Sequence, residues 1–198
     1  MSIFRAVLLG ASALALAAAG PPADPDWPCV QRLVPTLTAS TLWGGHDAAG
    51  DWHADPRVAA VVAAVAPRKV SAQDGAARLE RFVTTLPAPE RPAVTAQVFA
   101  GLVDETNVQR AQVIDRLRGI ARRQRLLTEM TSGITAELRA LPADAPAAQR
   151  EEIVSRRALL IREYEEIERT IRYACEAPVQ MEAKLGALAQ ALQRGSGD

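Results

Sequence analysis

Residues 113–174 read VIDRLRGIARRQRLLTEMTSGITAELRALPADAPAAQREEIVSRRALLIREYEEIERTIRYA. In the first part Val113, Ile120, Leu127, Ile134 and Leu141 recur every seven residues. In the second, Ile153, Leu160, Ile167 and Ala174 do the same. Between them lies Pro142-Ala-Asp-Ala-Pro146, which no continuous helix tolerates. If the chain folds back there, facing positions have numbers that add to the constant 287: 113 with 174, 120 with 167, 127 with 160, 134 with 153. That constant puts the fold point between residues 143 and 144, inside the loop the prolines mark independently. The stretch therefore predicts two antiparallel helices with a coiled-coil-like seam. Leu117, Gln124, Tyr164 and Ile171 complete the predicted seam. Gln124 falls nearly level with Tyr164, and Thr131 with Arg157. Polar layers of this kind fix register at a cost in stability.

The helical pattern continues outward. Pro89 and Pro92 open a helix whose first half carries Val94, Val98, Phe99, Leu102 and Val103, a face wide enough for a globular core. Unbroken from 92 to 141, this helix would be roughly 75 Å long, with Gly101, Gly119 and Gly133 as its weak points. Asp55-Pro56 predicts a helix start with Asp as N-cap, running to Ala66 and stopped by Pro67. Ser71-Ala-Gln-Asp74 resembles a capping box before the stripe Leu79, Phe82, Val83 and Leu86. A last helix is expected over about 179–193, carrying Met181, Leu185, Leu188 and Leu192, with residues 195–198 as a disordered tail. No stretch alternates with the period of a strand. The fold class is all-α: a single helical domain over 54–194, with a hairpin arm over about 106–175. Residues 20–53, interrupted by five prolines up to Pro35, form an irregular segment expected to pack on the body with Trp27, Trp43 and Trp52 as lids.

The first nineteen residues read as a cleaved export signal. Arg5 supplies the positive start, Ala6 to Leu16 a short apolar run, and Ala17-Ala18-Ala19 a small-residue cleavage site. The next longest apolar run, Val58 to Val65, has eight residues, so no transmembrane segment is expected in the mature chain. Of the 23 basic residues only Lys69 and Lys184 are lysines. That bias suits a GC-rich bacterial genome, and the expected compartment is the periplasm. Cys29 and Cys175, an even count in an oxidising space with no Cys-x-x-Cys, are expected to form a structural disulfide. Closing so long a loop contributes about 5 kcal/mol in the chain-entropy model.

Basic and acidic residues balance at 23 each, which gives no general pull toward nucleic acid. The cluster Arg116, Arg118, Arg122, Arg123 and Arg125 lies level with Glu163, Glu165, Glu166 and Glu168, so the arginines are expected to pair across the hairpin. Catalytic motifs of hydrolases, phosphate loops and haem attachment are missing from the sequence. Both histidines fall in one glycine-rich loop, where His46, Asp47, Asp51 and His53 offer imidazole and carboxylate ligands for a divalent metal such as zinc or copper. These features imply an exported, non-enzymatic helical adaptor, scaffold-like or chaperone-like. Its arm would bind an envelope protein or a second copy of itself, with no nucleic acid. A metal- or small-ligand sensor built on the His46–His53 loop is the alternative.

Overall fold

A computed structural model of the chain describes residues 24–43 and 50–196, and the expected export signal and residues 44–49 lie outside them. The described residues contain five α-helices and no strand: α1 Pro56–Val65, α2 Ala72–Thr85, α3 Arg91–Ala140, α4 Ala147–Ala174 and α5 Glu176–Ser196. The fold is all-α.

The helix starts follow local chemistry. Asp55 accepts a hydrogen bond from the Arg57 N–H at 2.8 Å, and Pro56 takes the first position, where its missing N–H costs nothing. At α2, Ser71 Oγ accepts from the Asp74 N–H at 3.0 Å and donates to the Asp74 carboxylate at 2.8 Å. Aspartate thus closes the capping box in place of glutamate. The long helix α3 runs fifty residues without a break at any of its three glycines. It stops at Leu141, which takes an extended backbone because Pro142 follows. Pro146 then leads into α4.

The end of the chain departs from expectation. The final helix begins at Glu176, not near 179, and runs through Gly195 to Ser196, where a disordered tail was expected. Only Cys175 separates α4 from α5. Pro178 sits in the first turn of α5, so it removes a donor where the helix needs none. The break is one residue wide because the proline interrupts the ladder but does not reverse the chain.

The body consists of α1, α2, the first half of α3 and α5. Its core is built from Val58, Val62 and Val65 of α1, Leu79 and Val83 of α2, Val98, Phe99 and Leu102 of α3, and Leu185, Leu188 and Leu192 of α5. Each such side chain, fully buried, contributes about 1.5–3 kcal/mol. Beyond the body, α3 continues with α4 packed beside it. A separate small cluster joins the two parts: Val113, Leu117 and Met181, covered by Trp27, Cys29, Ala174 and Cys175.

Candidate functional site: the arm and its junction with the body

Residues 24–43 form an extended strap that runs along α3, antiparallel to it. Prolines at 25, 28 and 35 remove helix donors, so its polar groups turn to α3 instead. Asp24 accepts from Arg118 Nε at 2.8 Å; Asp26 pairs with Arg122 at 2.8 Å and with Arg125. Farther along, Arg110 donates to the Val34 carbonyl at 2.7 Å. The Asn107 amide then meets both backbone groups of Leu37, each at 2.9 Å, as a strand neighbour would. Trp43 stacks on Phe99, and the buried Trp52 donates its indole N–H to Asp104 at 3.0 Å. The tryptophans thus lie against the helices. Cys29 and Cys175 are joined by a disulfide with Cα atoms 5.6 Å apart. Gln31 Nε2 donates to the Cys175 carbonyl at 2.6 Å, holding the strap at the α4–α5 break a second time.

These contacts correct the expected charge pattern. Of the arginine cluster, only Arg123 reaches across the hairpin, to Glu163. Arg118, Arg122 and Arg125 project from another face of α3 and are taken by the strap, while Arg116 has no ion pair or hydrogen bond among the described residues. On α4, Glu166 and Glu168 pair with Arg169 and Arg172 of their own helix. The reason is angular: residues 118, 122 and 125 lie on a different stripe from 116 and 123. Hydrogen bonding depresses both strap carboxylates below the ordinary 3.8. For Asp24 the cause is first the Asp26 N–H and then Arg118; for Asp26 it is Arg122 and then Arg125.

Arg110 is not among the residues expected from sequence to matter. It is 2% exposed, at the centre of the junction. Besides Val34 it donates to the Pro178 carbonyl at 3.0 Å and pairs with Glu182 at 2.7 Å. One side chain therefore ties strap, α3 and α5. A signal existed, because Arg110 stands seven residues before Leu117, in register with the seam.

Along the arm Val113, Leu117, Leu127, Ile153 and Ile171 are buried, and Ile120, Gln124, Ile134, Leu160, Tyr164 and Ile167 are half-buried. A shallow hollow of about 250 Å³ opens at the polar layers, lined by Thr128, Thr131, Ser132, Ile161 and Tyr164. There the Nε atom of Arg157 is buried without a partner among the described residues.

One flank of the arm carries both inter-helix ion pairs, Arg123–Glu163 and Arg156–Glu137. Met130 stands seven residues from both Arg123 and Glu137, so it shares that flank, and Leu126 lies one turn before it. On α4, Leu159 lies between Arg156 and Glu163 on the same flank. Leu126, Met130 and Leu159 are 54%, 45% and 58% exposed. Nearer the body the same flank opens into two adjoining hollows, of about 560 and 330 Å³.

The metal candidates are only partly placed. Asp51 and His53 stand together, with Asp51 Oδ1 2.8 Å from His53 Nδ1 and 2.9 Å from the His53 N–H. That backbone bond, more than the ring, lowers the Asp51 pKa. Both side chains are exposed. His46 and Asp47 lie outside the described residues. Among the described residues no three histidine, cysteine or acidic side chains gather as metal ligands, and no helix is long and apolar enough to cross a membrane. No protein-family model, curated protein or solved structure matches this chain, so the reading of its function rests on the geometry above.

Proposed function

We propose that this chain is an exported, non-enzymatic interaction protein that presents its hairpin arm to a partner protein of the bacterial envelope. The observation that carries the reading is the exposed trio Leu126, Met130 and Leu159 on one flank of the arm. Single exposed apolar residues are ordinary, but three neighbours on a projecting element form a patch. The patch lies between two ion pairs, Arg123–Glu163 and Arg156–Glu137, which give it a charged rim. An amphipathic helix of the partner fits such a strip, with its apolar residues on the trio and its charges on the rim. A disulfide-bonded cysteine pair is compatible with life outside the cytoplasm.

The test compares wild type with the triple variant Leu126→Glu, Met130→Glu, Leu159→Glu, as bait in an envelope extract and alone in solution. All three side chains face water, so helicity and melting should hold. We expect one defined protein to be retained by wild type and lost by the variant. A wild-type dimer that the same changes make monomeric would replace the partner with a second copy. Identical retention and identical monomeric mass for both proteins contradict the reading.

A further inference from the structure

The two hollows at the junction share Arg68, Ala177 and Gln180, so they form one trough. Its walls come from the turn between α1 and α2, the middle of α3, and the segment where α4 gives way to α5. Four cations line it: Arg68, Lys69, Arg116 and Lys184. Among the described residues no carboxylate does. Both lysines of a chain that otherwise uses arginine stand here, so the positive charge is gathered and not spread. Arg68, Lys69 and Arg116 have no ion pair or hydrogen bond among the described residues. Thirteen of the other eighteen arginines among the described residues do have carboxylate partners or carbonyl acceptors, down to the exposed Arg172. Lys184 is fixed differently. Its ammonium donates to the carbonyls of Ala66 and Pro67, at 3.2 and 2.8 Å, and partial burial lowers its pKa.

The floor has the opposite character. Val113, Leu117 and Ile120 of α3 and Met181 of α5 supply an apolar strip. Tyr173, 77% exposed, stands at the rim. Volumes of about 330 and 560 Å³ fall in the range of small-molecule sites. A trough that sets cations without a partner among the described residues beside an apolar floor suits a molecule with the complementary halves. The cations focus positive potential toward the opening, which attracts an anionic group, and the floor removes apolar surface from water.

We propose that this trough binds a small anionic amphiphile, a long-chain carboxylate. Its head meets Arg68, Lys69 and Arg116, and its tail lies along the hollow that holds Val113, Leu117 and Ile120. Arg68 belongs to both hollows, so the head sits at their meeting point. The proposal is independent of partner docking on the arm, since it uses none of Leu126, Met130 and Leu159.

The test is calorimetric titration of the full disulfide-bonded protein with dodecanoate, kept below its micelle concentration. Dodecyltrimethylammonium, acetate and a poly-glutamate peptide serve as comparisons. One equivalent of dodecanoate should bind in the micromolar range, and the three comparisons should give no saturable heat. The double variant Arg68→Glu, Arg116→Glu should bind dodecanoate roughly tenfold more weakly or worse. Its melting temperature should be unchanged, because neither side chain has a partner to lose. A second variant, Ile120→Ser, should weaken dodecanoate while leaving the arm intact by circular dichroism. Absence of dodecanoate binding, equal binding to the double charge variant, or equal binding of the cationic surfactant overturns the proposal. Binding of the peptide without dodecanoate overturns it too, by giving the trough to an acidic protein segment.

Discussion

At the scale of single residues, the junction depends on groups whose partners lie far away in the chain. Arg110 is buried and has three acceptors from two distant parts of the protein: Val34 of the strap, and Pro178 and Glu182 of α5. Arg110→Ala leaves two carbonyls and a carboxylate without their donor and opens a void. We expect a loss of about 3 kcal/mol in urea unfolding, the usual cost of removing one partner of a buried charged network. A loss within the error of the fit would place the junction's stability elsewhere. The strap carboxylates predict a pH response. Asp24 and Asp26 have folded pKa values below 3.8, the ordinary value. Their contribution is therefore fully present above that value and fades as pH falls through the depressed values. Hydrogen exchange of residues 24–28 should be unchanged from pH 7 to 5 once corrected for intrinsic rates, and should rise below pH 4. Loosening already complete at pH 5 would contradict the assignment of these bonds.

At the scale of elements, the glycines of α3 divide by surroundings. A Cβ on Gly101 would come within 2.8 Å of Trp52 and 2.9 Å of Val62, so glycine permits the close packing of α1 and the Trp52 turn. A Cβ on Gly133 would meet nothing within 4 Å. Gly101→Ala is expected to destabilise by about 1–3 kcal/mol through overpacking. Gly133→Ala is expected to stabilise by up to about 1 kcal/mol through helix propensity alone. Thermal unfolding of the two variants checks the pair, and equal shifts would contradict the packing. The same contrast explains what was legible beforehand. Helix starts at Pro56 and Ala72 and the turn at Pro142 are local, so Asp55, Ser71 and the two prolines announce them. The pairing of Arg118 with Asp24 spans 94 residues, and no periodicity in α3 reveals it. Spacing sets the level of an arginine along the hairpin, but its angle around the helix decides whether it meets α4 or the strap. Met181 to Leu192 mark the last helix, but it starts earlier than expected, at Glu176, because a helix tolerates Pro178 in its first turn.

At the scale of the molecule, the architecture follows from one helix serving two neighbourhoods. The first half of α3 has a wide apolar face and enters the body; the second half narrows to a seam and extends with α4. The disulfide, Arg110 and the strap sit where the two regimes meet. That placement ties the junction together and leaves the arm beyond Arg125 with only α4 beside it among the described residues. The trough was invisible in sequence because its cations, at 68, 69, 116 and 184, come from three separated stretches. The seam, in contrast, was written within a single run of 62 residues. The metal-ligand loop illustrates the other limit: His46 and Asp47 were readable as residue types, but their geometry lies outside the described residues.

Both proposals need the flank of the arm formed by the return of α4 beside α3. A spin-label distance between Arg123→Cys and Glu163→Cys, measured with the native disulfide intact, tests that return most directly. Across an antiparallel seam the two labels should lie within about 20 Å of each other, in a narrow distribution. If the helices instead continued as one rod, forty residues would separate them by roughly 60 Å, and a distance of that size would contradict the account.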